Sequence, residues 1–538
     1  MTRYRAHLIS DANRKWWTLG AMCFALFMLM LDNTVVNVAL PSIERDLGSS
    51  LSSLEWIVNG YTLAFAVFLA TGGRLGDIFG RRLTFLIGVV LFSVSSATAG
   101  FAPDTAWLVG SRVVQGIGGA LMMPATLSIV TNAFPPAERG KAIGTWAGVS
   151  ALALAIGPVL GGFLTEDVSW RAIFFINLPV GAGAVIASLF AVRESRDHTV
   201  GREVDYAGVA TLTAALTALV LALIEGNSWG WDSVAILSLF AGSFVMLAAF
   251  VMVERRVAAP MVEFPLFGSR NFVGSNVIAL IVTFAMMAQF FFIALYMQNM
   301  LGYSPLQAGL RFLPATLMIV TVAPIAGRLT DRIGARIPIA TGLSLTAAAL
   351  VWLTQIDPST TYGDLFPSFM LMGFGMALVM SPMSTAAMNA VADVKAGIAS
   401  GILSMNRMIG GTLGIAVIGA VFQAVARSDL NSSLANSGLT AGQRSDVAHA
   451  LGGGGSAVPG GVGHAQAAQI AAAARDAFIN AFASSMKVAT GVTAAGVVVA
   501  LALIRPQRGS KAEADVEVPP GGVAPPRELV TRGSSVSS

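Results

Sequence analysis

The sequence is short of charge. Asp, Glu, Lys and Arg make up 12% of its 538 residues, while 55% are hydrophobic and the mean hydropathy is +0.72. An ordinary soluble domain carries about a quarter charged residues, so the composition excludes one and indicates a polytopic membrane protein. Cysteine is nearly absent. Cys23 stands alone, which rules out a disulfide framework and a cysteine metal cluster. His7, His198, His449 and His464 are scattered over tail and loops, which argues against a histidine metal site. No nucleophile–base cluster or nucleotide motif occurs, so neither enzyme activity nor a cofactor is expected. The glycine run "GGGGSAVPGGVG" (452–463) follows no strand and reads as a flexible linker, not a phosphate cradle. The net charge of +4 does not point to nucleic acid, because the basic residues sit in short loops between apolar runs.

What is present is a series of long apolar runs. A membrane span needs about 20 apolar residues. That window predicts helices near 17–40, 52–73, 83–101, 106–130, 142–164, 172–192, 206–225 and 233–253. Six more follow near 271–297, 305–327, 337–355, 364–389, 397–425 and 480–504, fourteen in all. The first run is too long for a signal-peptide core and has no small-residue cleavage site before Asp32, so it reads as a retained helix. Lys and Arg cluster in the N-terminal tail, in alternate loops (Arg74, Arg81 and Arg82; Arg139 and Lys141; Arg328, Arg332 and Arg336) and after Arg505. The intervening loops hold little, chiefly Arg45, Arg171 and a few basic residues in the long loop near 426–477, so both termini are expected in the cytoplasm. The long outer loop 426–477 contains "AAQIAAAARDAF", expected as a surface helix, and 505–538 reads as a disordered tail.

The chain also repeats itself. "GRLGDIFGRR" (73–82) recurs as "GRLTDRIGAR" (327–336), an offset of 254. "KAIG" at Lys141 faces "KAGI" at Lys395 at the same offset, and "GIGGALMMP" from Gly116 resembles "GFGMALVMSP" from Gly373. Internal repeats of this kind are a transporter signature. The offset is too long for six helices alone. It implies two six-helix bundles, 1–192 and 271–504, with an additional helix pair in 193–270. Asp32 and Arg112 are not duplicated: their shifted positions hold Met286 and Phe369.

Asp32 interrupts "FMLMLDNTVVNVALP" (27–41), and a carboxylate in hydrocarbon is by default a functional candidate. It lies nine residues before Pro41, about 13 Å below the outer end of its helix. Arg112 lies roughly 8 Å deep in a helix that runs inward from Trp107. Burial favours a neutral carboxyl and a nearby guanidinium favours a charged one. A carboxyl whose surroundings alternate can therefore load and release a proton; a structural pair holding two helices in register is the competing reading. Gly73, Gly76 and Gly80 permit a tight turn, in which Asp77 can meet a helix N-terminus or Arg81. Gly157, Gly161 and Gly162 allow close helix approach, and Pro158 favours a bend. Arg407 either meets an anionic group or serves packing. Asp32 is taken as the one deep acid, which fits a lipophilic monocation or neutral amphiphile better than a polyvalent cation.

Taken together, these motifs resemble the fourteen-helix drug:proton antiporter family of the major facilitator superfamily. The similarity runs through "LDNTVVNVALP" (31–41), "GRLGDIFGRR", "RVVQGIGGA" (112–120), "IGPVLGG" (156–162) and "WRAIFFINLPVG" (170–181), with Ala153 standing where the fifth-helix pattern prefers Gly. The resemblance implies an all-α membrane fold of two six-helix bundles plus two helices. It implies a proton-coupled exporter of drugs, antibiotics or dyes in the bacterial cytoplasmic membrane, working as a monomer by alternating access. Asp32 and Arg112 would couple protons, and Gly73, Asp77, Gly80, Arg81, Arg82 and Asp331 would form a cytoplasmic latch. Gly157, Pro158, Gly161 and Gly162 would seal the outer side. The cavity candidates are Asn33, Gln115, Met286, Gln289, Phe290, Tyr296, Asn406 and Arg407. Methionine and aromatic surfaces such as helix 9 re-pack around varied apolar ligands. Two alternatives stay open: an exporter dedicated to one metabolite or lipid, and a receptor that reuses the fold without transport.

Overall fold

A computed structural model describes residues 11–196, 205–257, 260, 262–391, 396–435, 447 and 464–505. The glycine linker and the tail beyond Arg505 lie outside the described residues. The described residues form fourteen long helices: α1 (Asp11–Leu47), α2 (Leu51–Phe79), α3 (Arg81–Gly100), α4 (Thr105–Ala133), α5 (Pro136–Asp167), α6 (Ala172–Ala191, broken at Ile176) and α7 (Tyr206–Trp229). They continue as α8 (Val234–Glu254), α9 (Arg270–Met300, ending in a π turn), α10 (Pro305–Ile333), α11 (Arg336–Leu353), α12 (Tyr362–Met388), α13 (Ala396–Ser433) and α14 (His464–Leu503). Short polar residues start several of them. Ser50, Asp104, Asp205, Ser233, Ser269 and Ser304 each cap their helix by accepting a bond from a first-turn N–H.

Helices α1–α6 pack together, as do α9–α14, and the two bundles meet along α2–α13 and α5–α10. The repeat in the sequence is a repeat in packing. A Cβ on Gly116 of α4 would lie 2.4 Å from the Tyr61 carbonyl of α2, and one on Gly373 of α12 would lie 2.3 Å from the Ala315 carbonyl of α10. Gly80 and Gly334, 254 positions apart, both take positive φ (120° and 81°) at the turns after α2 and α10. Helix α7 packs on α2 and α13, with α8 outside it. Only 17% of the apolar window of α8 is buried, and Leu237, Phe244 and Val245 stand exposed, as contact with lipid tails requires.

The structure departs from the sequence reading at the end of the bundle away from the basic loops, hereafter the far end. The expected surface helix is continuous with α14, which starts at His464, and α13 runs on to Ser433. The aromatic pair Phe422–Phe478, 5.0 Å between centroids, ties the two extensions together. Among the described residues, hydrogen bonds between the bundles lie at mid-depth (Thr62–Thr412, 2.8 Å) and toward the far end. There Leu306 N donates to Glu166 (2.9 Å) and Gln298 to the Val38 carbonyl (2.8 Å). The far end is closed.

Candidate functional site

Asp32 is 2% exposed, and four side chains from α3, α4 and α6 surround it directly or at one remove. Arg112 Nη1 donates to Oδ2 at 2.5 Å, while Gln115 Nε2 (2.9 Å) and Asn177 Nδ2 (3.1 Å) both donate to Oδ1. Asn177 is held in turn by Ser96, 3.0 Å away, whose hydroxyl donates to the Phe174 carbonyl. Arg112, 1% exposed, also bonds Gln115 Oε1 (2.8 Å) and the Ile57 carbonyl (3.3 Å). Its guanidinium lies 4.1 Å from the Tyr61 ring centroid, a cation–π contact. A buried ion pair needs such extra hydrogen bonds to offset desolvation. The network lies wholly within the first bundle. Gln115, a cavity candidate in the sequence reading, belongs to this carboxylate. Asn177 and Ser96 were missed; the only signal was a lone amide inside the apolar run "IFFINLP".

In the turn after α2, Arg81 bonds Asp77 Oδ1 through Nε (3.1 Å) and Nη2 (2.9 Å), one helical turn away. Gly73 faces Pro124 of the same bundle, and Asp331 is exposed. Arg82 Nη2 donates to the Leu189 carbonyl, and its backbone N–H donates to Glu194 at 3.0 Å. Glu194, also missed, accepts from Leu83 N (3.1 Å) as well, so its carboxylate caps α3, whose own N-cap Gly80 has no side chain. A Cβ at Gly80 would lie 2.6 Å from that carboxylate. Glu194→Ala is expected to cost about 1 kcal/mol, the usual worth of a cap, read in detergent as a thermal midpoint lower by about a degree for a chain of this length.

The glycines of α5 divide their contacts. Gly157 and Gly161 face α1, with virtual Cβ positions 1.8 Å from Thr34 Oγ1 and 2.9 Å from the Val35 carbonyl. Gly162 and Pro158 face the other bundle. A Cβ on Gly162 would lie 2.5 Å from the Pro305 carbonyl, and one on Gly309 of α10 would lie 2.1 Å from the Pro158 carbonyl.

The cavity candidates separate by burial. Tyr296 is 1% exposed and stacks near Phe482 (5.4 Å) of α14, and Phe290 packs edge-on against Phe312 (5.5 Å) of α10. Met286 is buried too, so these three belong to the second bundle's interior and not to an open wall. The rotation of α9 set by its neighbours turns them inward. Gln289 is 1% exposed with both amide atoms unpartnered. Asn33, Met287, Asn406 and Arg407 keep partial exposure. Asn33 bonds the Leu29 carbonyl, Asn406 bonds Asn276, and Arg407 donates to Ser384 Oγ at 2.5 Å.

The expectation of a single deep acid fails. Glu55 of α2 is 0% exposed, and it faces α13 across the seam between the bundles. Position alone hid it, four residues into its helix, where a glutamate reads as interfacial.

Residues 22–415 match the Major Facilitator Superfamily. The chain is 38% identical over 409 residues to the tetracenomycin C resistance and export protein of Streptomyces glaucescens, covering 76% of each. It is 38% identical over 408 residues to the multidrug resistance protein Stp of Mycobacterium tuberculosis, again 76% of each. The puromycin resistance protein pur8 of Streptomyces alboniger is 37% identical over 415 residues, 76% of this chain and 82% of that one. Among solved structures, a bacterial homolog of the human lysosomal transporter Spinster, inward-facing and occupied, superposes with a TM-score of 0.63 at 17% identity, covering 91% and 97% of the two chains.

Proposed function

The chain belongs to the major facilitator superfamily, and from that premise we propose that it exports amphipathic drugs in exchange for protons. It is a multi-pass membrane transporter, not an enzyme. Its basic end and both termini face the cytoplasm of a bacterial cell, and one copy of the chain, with both bundles, is the working unit. Asp32 carries the reading: a carboxylate within a membrane helix, paired with Arg112 and bonded by Gln115 and Asn177.

In this reading Asp32 gains a proton when its surroundings open outward and loses it when they open inward. Each charge that moves down the field supplies about 2.3 kcal/mol per 100 mV. Asn33, Met287, Asn406 and Arg407, partly exposed on α1, α9 and α13, line the path of the drug. Asp77, Arg81 and Arg82 with Gly73, Gly80 and Asp331 form the latch of the cytoplasmic side.

Ethidium accumulation in efflux-deficient cells tests the reading. Cells expressing the protein should hold several-fold less dye than controls, and a protonophore should remove the difference. If a protonophore leaves the difference intact while an ATP-depleting agent removes it, proton exchange is the wrong energy source. A narrower reading, export of one compound, is favoured by relatives named for tetracenomycin C and puromycin. Protection confined to a single member of an antibiotic panel would select it.

A further inference from the structure

Glu55 is not used by the mechanism above, and its surroundings are unusual. Its side chain is 0% exposed, about 6 Å into α2 from the far end. Its one hydrogen bond among the described residues is a long one, 3.4 Å from Gln423 Nε2 of α13, and Oε2 has no partner. The space it fills is left by Gly419, where a Cβ would lie 2.0 Å from Oε1. Gly419 stands 257 positions after Gly162, the glycine that lets α5 meet α10. The two seams between the bundles are therefore built alike, except that one is filled by a carboxyl group.

The charged groups around Glu55 do not neutralise it. From α7, Glu225 acts on it with the same sign. From α13, Arg427 donates to the Asn227 carbonyl. On α4, Arg112 is taken up by Asp32 of α1 and by the Ile57 carbonyl, while Glu44 of α1 is a further buried acid. Helix α3 carries its charges, Arg81 and Arg82, at the opposite end. An unpaired buried carboxylate costs several kcal/mol, whereas a carboxylic acid needs only hydrogen bonds.

We infer that Glu55 is a second proton-binding residue, and that its neutral acid form is a condition for closing the far end of the transporter. When α2 and α13 part, water reaches the carboxyl, the O–H bond breaks, the proton passes to that water and a carboxylate remains. Resealing requires the carboxylate to take a proton back from the outer water. The closed state thus binds one more proton than the open state, so the open-to-closed ratio rises as pH rises. The inference rests on alternating access but not on Asp32 as the coupling site.

The test measures far-end opening by electron–electron distance between spin labels at Val168→Cys and Gln355→Cys, both exposed at that end, in a Cys23→Ser background. Purified protein in lipid nanodiscs is titrated with Asp32→Asn in place, which removes the other proton site. The open-to-closed ratio is expected to rise with pH, by as much as about tenfold per unit, the limit for one linked proton. Adding Glu55→Gln, which keeps size and hydrogen bonding, is expected to leave the far end closed at every pH. An equal pH response with and without Glu55→Gln overturns the inference, as does a flat profile in Asp32→Asn alone. Absence of dye export by the unsubstituted protein, or protonophore-sensitive export surviving in Asp32→Asn, would count against the substrate reading or against Asp32 and, with an intact Glu55 response, leave this inference standing.

Discussion

Replacing Asp32 by asparagine is expected to abolish energised export while the chain still reaches the membrane. Asparagine keeps the size of the side chain, and its one oxygen can still accept from Gln115 or Asn177. With that oxygen so placed, the amide nitrogen takes the position of Oδ2 and cannot accept the bond from Arg112 Nη1, now 2.5 Å away, and in either orientation Arg112 loses its counter-charge. Breaking a buried pair in this way costs about 3–5 kcal/mol, and membrane levels must be matched before rates are compared. The functional loss is separate and larger in consequence. Without a titrating group, no proton is exchanged for drug, and about 2.3 kcal/mol per 100 mV is forfeited. At 1.4 kcal/mol per factor of ten, the sustainable concentration ratio falls roughly 40-fold. Ethidium should equilibrate in cells carrying the variant, with or without protonophore. Protonophore-sensitive efflux surviving in Asp32→Asn would leave the carboxylate as a structural pair with Arg112 and remove it from the mechanism.

The second large effect is expected at Gly309. Its would-be Cβ lies 2.1 Å from the Pro158 carbonyl and 3.2 Å from Val159 Cα, both backbone, so no side-chain rotation can make room. Gly309→Ala therefore separates α5 from α10 in the closed state and leaves the open state untouched. Overpacking of this kind costs about 1–3 kcal/mol. Charged to one state alone, that shifts the open-to-closed ratio by roughly 5- to 150-fold. Drug efflux should fall accordingly, and the distance between spin labels at residues 168 and 355 should lengthen. Gly110→Ala, where nothing lies within 4 Å, is the control and should behave as the unsubstituted protein. An unchanged distance in Gly309→Ala would show that the two helices absorb the methyl group elsewhere and that the glycine does not control closure.

Asp32 and Glu55 differ in how far the sequence exposes them. Asp32 stands in the middle of an apolar run, where hydropathy alone marks a charge as costly. Glu55 stands one turn from a helix start, where hydropathy is silent. Only the approach of α13, with Gly419 and Gln423, shows that the carboxyl is enclosed. The same contrast holds between Arg112, legible as a base within a span, and Asn177, whose role depends on α6 turning it toward Asp32.

Helix number, helix order, the basic end, the internal repeat and the presence of Asp32 and Arg112 within membrane spans were legible in the sequence itself, whereas their contact was not. Each depends on apolar length, loop charge or a motif along a single stretch of chain, and such terms act locally. The tertiary structure decided which face each helix presents. It buried Tyr296, Phe290 and Met286 in the second bundle, joined Gln115 to Asp32, and set Glu55 between α2 and α13. The physical reason is rotation about the helix axis. Nearly all sides of these helices are apolar, so no amphipathic stripe fixes the angle, and close contacts at Gly116, Gly309, Gly373 and Gly414 set it instead.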